Sequence, residues 1–173
     1  MADVIRTQRL ILTPVTQTDI ADLHRHWNAP AVRRFLWDDE TMPIETVTST
    51  VDSSERDFKE FRYGLWSLRL AADQPLIGFC GLQRVESTDL VEVLYSLDQT
   101  YWGRGLAGEA ARAVLTFGFN VLGLARIAGG TDEGNLASIR VLERLGMRFV
   151  DNLMLHGQPR PYYAVDRAAF EHV

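Results

Sequence analysis

The ten residues from Tyr101 to Ala110 constrain this chain more than any other stretch. They contain Gly103-x-Gly105-x-x-Gly108, preceded by the strand-like run Leu90–Leu97 and followed by a helical pattern reaching about Leu122. Three closely spaced glycines let the backbone turn tightly and approach a ligand with no Cβ in the way. The first turn of the following helix offers N–H groups at the positive end of the helix dipole, and a pyrophosphate suits both. Trp102, Gly103, Arg104, Gly105, Leu106, Ala107 and Gly108 are therefore the candidate phosphate-binding residues, with Arg104 as a side-chain partner for a phosphate. The plain alternative is a glycine-rich turn that only joins a strand to a helix.

The same glycines match the dinucleotide fingerprint, and Asp132 follows at about the expected spacing. In that motif the first glycine ends the strand, whereas Asp98 to Trp102 intervene here, and over half the chain precedes the loop. A Walker pattern is excluded, because the only lysine is Lys59.

Two further blocks make a specific match. The loop, following Tyr95-Ser96-Leu97, resembles the acetyl-CoA loop of the GCN5-related N-acetyltransferases, with Trp102 in place of the family's leading Gln/Arg. Asn135, Ser138 and the Gly146-Met147 ending resemble the family's Asn-x-x-Ser helix, with Met147 where phenylalanine is usual. Thr7-Gln-Arg9-Leu10 resembles the first strand of the ribosomal-protein alanine acetyltransferase branch, so the likeness covers nearly the whole chain. It implies a fold in which two central parallel strands splay apart around the pantetheine arm of acetyl-CoA.

Bulk properties agree. A chain of 173 residues, 46% hydrophobic and 24% charged, fits one soluble domain spanning residues 1–173. The net charge of −5 argues against nucleic acid as the main partner. One cysteine, Cys80, lies in an apolar run and reads as a small core residue; it excludes a disulfide framework. No apolar run approaches a membrane span and no signal pattern opens the chain, so a cytoplasmic protein is expected. The four histidines lack metal-ligand spacing, and no metal is expected.

Taken in order, Arg9–Thr13 reads as a strand stopped by Pro14. Thr18 caps a helix from Asp19 to Trp27, Pro30 opens another to Leu36 or Trp37, and Pro43 opens a third to Phe61. Strands follow at Tyr63–Leu70, Leu76–Val85 and Leu90–Leu97 as an antiparallel meander. After the loop helix, Leu124–Gly129 completes a right-handed strand–helix–strand unit. Asn135 begins the last main helix, and Arg148–Leu155 with Pro161–Asp166 forms a closing hairpin. The predicted class is α+β: a mixed, mostly antiparallel sheet of six or seven strands with helices on both faces.

Acetyl transfer to an amine needs a base for the amine, donors for the carbonyl oxygen and an acid for the departing thiolate. Glu92 interrupts an apolar strand, with Leu90, Leu94 and Ser96 on its face, and is the candidate base, its carboxyl raised by apolar surroundings. A strand-end carboxylate facing water is the alternative. His156, in the turn near the closing hairpin, is the runner-up. The resemblance assigns backbone amides at Val93 and Leu94 to the pantetheine and the acetyl carbonyl. Tyr95 reads as a core aromatic or as a phenol facing the cleft. Asn135 and Ser138 share a helix face; Ser138 is the candidate acid and Asn135 a cofactor contact, or both serve as a helix cap.

The expected activity is direct transfer from acetyl-CoA to a primary amine, a protein N-terminus or a small molecule. No covalent intermediate is expected, since Cys80 looks buried and no serine–histidine pairing is visible. A non-catalytic acyl-CoA-binding or regulatory module of the same fold is the alternative, and a nucleotide-binding oxidoreductase rests on the glycines alone. Trp37, Asp38, Asp39 and Glu40 offer an aromatic-acidic mouth for a cationic amine. A homodimer is left open.

Overall fold

The computed structural model describes residues 3–85, 88, 90–155 and 158–170. Eight strands form one mixed sheet: β1 (Ile5–Arg6), β2 (Ile11–Pro14), β3 (Leu65–Arg69), β4 (Gly78–Arg84), β5 (Val91–Leu97), β6 (Arg126–Gly130), β7 (Arg148–Leu155) and β8 (Gln158–Asp166). Their spatial order is β1-β2-β3-β4-β5-β6-β8-β7. Every neighbouring pair is antiparallel except β5 and β6. The helices are α1 (Ile20–Asn28), α2 (Pro30–Leu36), α3 (Ile44–Phe61), α4 (Leu106–Asn120), α5 (Leu136–Arg144) and the short α6 (Arg167–Phe170). No helix among the described residues is long and apolar enough to cross a membrane.

Strand alternation sorts the core into two layers. Trp66, Leu68, Leu82 and Val93 pack with Ala110, Val114, Leu115 and Phe119 of α4. Leu65 and Phe79 face the other way, against Leu23 and Trp27 of α1 and Val47 and Val51 of α3. Cys80 is fully buried, as its apolar run predicts, and burial pushes its thiol up out of the reactive range.

The sequence expectations depart from the structure at four places. The additional strand is β1, whose two residues pair with Leu12 and Ile11 and are too few to show alternation. Pro14 ends β2 inside the sheet, opposite Trp66; β1 reaches only Ile11 and Leu12, so no strand beyond needs its missing N–H. The α1 entry lies two residues earlier than Thr18: the Thr16 N–H donates to Asp19 Oδ2 (2.9 Å), and Gln17–Asp19 forms a 3-10 turn. Asp19 is buried and paired with Arg69 at 2.5 Å, a tertiary role no local signal reveals. β8 begins at Gln158 rather than Pro161.

The N-terminal arm is tied to the start of α4. Glu109 Oε1 accepts from the Thr7 hydroxyl (2.6 Å) and the Arg9 N–H (2.8 Å), and Oε2 accepts from Arg9 Nε (2.7 Å). Arg9 Nη1 donates to the carbonyl of Arg104 inside the glycine loop (2.9 Å). Burial raises the Glu109 carboxyl, but the Thr7 and Arg9 hydrogen bonds and the Arg9 charge outweigh it and leave it below the ordinary value of 4.5. A depressed carboxyl contributes stability above that ordinary value and loses it as pH falls through its own lower one. Glu109→Gln should therefore melt below wild type at neutral pH, with the gap closing in thermal scans taken progressively below about pH 4.5. A gap independent of pH would remove the charge from the clamp.

Candidate active site

β5 and β6 share one register pair, Glu92 with Ala128. β4, in contrast, follows β5 along all of its residues from Val91 to Leu97. Between Val93 and Leu97, β5 thus has no described strand partner on its β6 side, and the sheet opens toward the C-terminal ends of its two parallel strands. That is where open α/β sheets receive ligands. The Asp98 N–H donates to the Ile77 carbonyl (2.9 Å) in register with the β4–β5 ladder. The alternation this sets turns the peptide groups of Leu94 and Ser96 toward β4, and those of Val93, Tyr95 and Leu97 toward the seam. Of the two backbone positions expected from the resemblance, the Val93 peptide group faces the opening and the Leu94 peptide group turns toward β4.

The glycine loop stands at the open end. Gly103 (φ 73°) and Gly105 (φ 75°) occupy the left-handed region, where a side chain is strained. A Cβ added at Gly103 or Gly108 would meet nothing within 4 Å, and one at Gly105 only Arg9 Nη2 at 3.6 Å. Gly105 is the N-cap of α4 and supplies no side chain. The first helical bond runs from the Glu109 N–H to the Gly105 carbonyl (3.0 Å). The N–H groups of Leu106, Ala107 and Gly108 therefore have no intrahelical acceptor. Open space, unsatisfied donors and a helix N-terminus fit a pyrophosphate. Leu106 is buried at 3% exposure and has only its backbone to offer. Trp102 spends its indole N–H on the Leu97 carbonyl (2.7 Å), leaving its half-exposed ring. Arg104 is exposed, its guanidinium 5.4 Å from the Tyr101 ring centroid.

Glu92 and Ser138 flank the seam on opposite faces of β5. Glu92 is part-buried but not in apolar surroundings: Oε1 accepts from Gln83 Nε2 (2.6 Å) and Oε2 from the Tyr162 hydroxyl (3.0 Å). Tyr162 reaches it from β8 across Gly130, where an added Cβ would lie 3.2 Å from the Tyr162 ring. Burial pushes the Tyr162 phenol up, and the Glu92 charge and hydrogen bond push it further, so it stays a donor. Sequence reasoning missed Gln83 and Tyr162. The one trace is glycine at 130 beneath a tyrosine strand, legible only once the β6–β8 register is known.

On the other face, the Tyr95 hydroxyl lies 2.9 Å from Ser138 Oγ and donates to the Ser138 carbonyl (3.2 Å). Tyr95 is thus more than a core aromatic. Burial raises its phenol and the Ser138 hydrogen bond opposes this. Asn135 Oδ1 accepts the Ser138 N–H (3.1 Å), the expected N-cap, while its amide nitrogen remains for another partner.

Two expectations need correction. A serine–histidine pairing does exist: His26 Nε2 lies 3.0 Å from Ser96 Oγ and Nδ1 2.5 Å from Asp98 Oδ1, with His26 1% exposed. The partners are about seventy positions apart in sequence and meet only because α1 packs over the end of β5. The array ties α1 to the approach of the glycine loop. The acidic mouth is largely neutralised: Arg160 Nη2 donates to both Asp38 oxygens (2.8 and 3.0 Å), and Arg33 holds Asp39 (2.8 Å). His156 lies outside the described residues. A cavity of about 380 Å³ bordered by Arg62, Arg84 and Leu122 contains none of the candidate residues.

Residues 9–148 match the family model described as an acetyltransferase (GNAT) domain. The Bacillus subtilis (strain 168) protein YkkB is 34% identical over 115 residues, covering 65% of this chain and 67% of that one. The spermidine N(1)-acetyltransferase of Escherichia coli (strain K12) is 23% identical over 174 residues, covering 93% and 86%. The fold matches RimL, a ribosomal L7/L12 alpha-N-protein acetyltransferase solved with coenzyme A, at a TM-score of 0.79 and 16% identity, covering 95% of this chain and 98% of that one. The chain belongs to the GNAT acetyltransferase family and is an N-acetyltransferase.

Proposed function

We propose that this enzyme moves an acetyl group from acetyl-CoA directly to a primary amine, of a small molecule or a protein N-terminus, within one ternary complex. The observation that carries the reading is the seam between β5 and β6, open beyond Glu92 and ending at the glycine loop. The N–H groups of Leu106, Ala107 and Gly108 hold the pyrophosphate. Peptide groups of Val93, Tyr95 and Leu97, with the Asn135 amide, line the pantetheine arm. The coenzyme A complex of the similarly folded RimL supports the same cosubstrate here.

The two faces of the seam divide the proton chemistry. Glu92 takes the proton from the amine, directly or through one water, while Gln83 and Tyr162 fix its carboxylate. Peptide N–H groups at the seam stabilise the negative charge developing on the carbonyl oxygen. Ser138 donates to the departing sulfur from the opposite face, its hydroxyl held 2.9 Å from the Tyr95 oxygen, and regains a proton from solvent. Nucleophile and leaving group are thereby served from opposite sides of the carbonyl. Direct transfer, rather than a Ser96 ester, is supported by the burial of His26 of α1, 1% exposed, which lies 3.0 Å from Ser96 Oγ.

Three variants test these roles. Glu92→Gln keeps shape and removes basicity, so turnover should fall roughly 10²-fold or more, with partial rescue at high pH and unchanged coenzyme A affinity. Tyr162→Phe leaves one carboxylate oxygen without its donor and should lower kcat roughly tenfold while sparing the KM for acetyl-CoA. Superimposable pH–rate profiles for wild type and Glu92→Gln would move the base elsewhere. Ser138→Ala should slow single-turnover thiol release, and quenched wild-type enzyme should carry no added acetyl mass. An acetyl group found on Ser96 would replace direct transfer with a two-step route.

A further inference from the structure

The chain's four tryptophans divide by the fate of their indole N–H groups. Trp66 donates to the Asp3 carbonyl (2.8 Å) and Trp102 to that of Leu97 (2.7 Å). The N–H groups of Trp27 and Trp37 are fully covered, yet neither has a hydrogen-bond partner among the described residues. The two rings lie 5.0 Å apart, inclined by 54°, and Trp27 is 1% exposed. Buried donors without acceptors are costly and rare in native folds. Two in contact within one cluster call for a functional account.

Their position supplies one. The cluster around Trp27 and Phe79 is bordered by Trp37, Met42 and Leu94. The Leu94 side chain leaves β5 on the face that carries Glu92, two residues away. Through Leu94 the cluster that holds the orphaned donors borders the face of β5 that carries Glu92.

Chemistry narrows what would satisfy them. An indole N–H only donates, and so does a protonated amine. A polyamine charged at every nitrogen leaves both groups unpaired. The acidic residues that follow Trp37 do not favour a polycation either, since Arg160 and Arg33 hold Asp38 and Asp39. A carbonyl or hydroxyl oxygen accepts from both indoles. We propose that the acceptor is an amine bearing an uncharged oxygen acceptor close to its nitrogen, and that Trp27 and Trp37 recognise that oxygen. This rests on the assignment of Glu92's face to the amine. Trp37 must turn outward to admit such a ligand. The backbone beside it already departs from common conformations: Asp38 (φ 52°) and Asp39 (φ 65°) are successive left-handed residues without glycine.

The test is a titration of intact ¹⁵N-labelled protein carrying coenzyme A with glycinamide and, separately, with spermidine, following the indole N–H signals. Trp37→Phe, Trp66→Phe and Trp102→Phe assign three of them, and Trp27 is the fourth. Glycinamide should move the Trp27 and Trp37 signals and leave Trp66 in place; spermidine should leave all three. In turnover, Trp37→Phe keeps a ring and removes a donor. Its KM for glycinamide should rise roughly tenfold at nearly constant kcat, the size of one lost hydrogen bond. The proposal is overturned if spermidine moves the pair, if glycinamide does not, or if both N–H signals already show the shift of a hydrogen bond to a resident water that no amine alters. The titration reads binding, so a normal rate in Glu92→Gln would sink the base assignment and leave this result standing.

Discussion

The rest of the structure depends on one short contact between parallel strands. β5 and β6 meet at Glu92 and Ala128 and then part, so the sheet has an opening lined by backbone rather than an unbroken ladder. Peptide groups turned into such an opening are costly to leave dry, and suited to a linear ligand rich in amides. The same contact fixes Glu92 at the point of divergence, where β6 still holds the Gly130 gap through which Tyr162 reaches it.

Arginine side chains position the surroundings. Arg9 ties the N-terminal arm to Glu109 and to the carbonyl of Arg104, giving the glycine loop a fixed floor. Arg69 anchors buried Asp19 at the start of α1. Arg160 joins the segment after α2 to the closing hairpin through Asp38 and also approaches Asp132 at 3.5 Å. Guanidinium forks suit these ties because they bond two oxygens in one plane. Exposed pairs of this kind add little stability singly; their effect is to fix where loops lie relative to the seam.

Much of this was legible in the sequence because it is local. The glycine loop, the helix after it, the Asn135 cap and the alternation that buries Val93 all lie within short windows and follow from turn chemistry and period. The missed features are long-range. Tyr162 and Gln83 on Glu92, His26 on Ser96 and Arg160 on Asp38 join residues that only the strand order brings together. The apolar setting expected for Glu92 failed for the same reason: its strand neighbours are apolar, but its hydrogen-bond donors come from other strands. Which peptide groups of β5 face the seam depends on which of them β4 already occupies, and that is a property of register.

The central claim, that the opening beside β5 receives the cosubstrate, is tested most directly by amide hydrogen exchange with and without coenzyme A. The account predicts slowed exchange at the seam-facing amides of β5, at the first turn of α4 and at the start of α5. The amides around Arg62 and Leu122, at the separate cavity, should exchange unchanged. Protection at that cavity, or binding with no protection along β5, would contradict it.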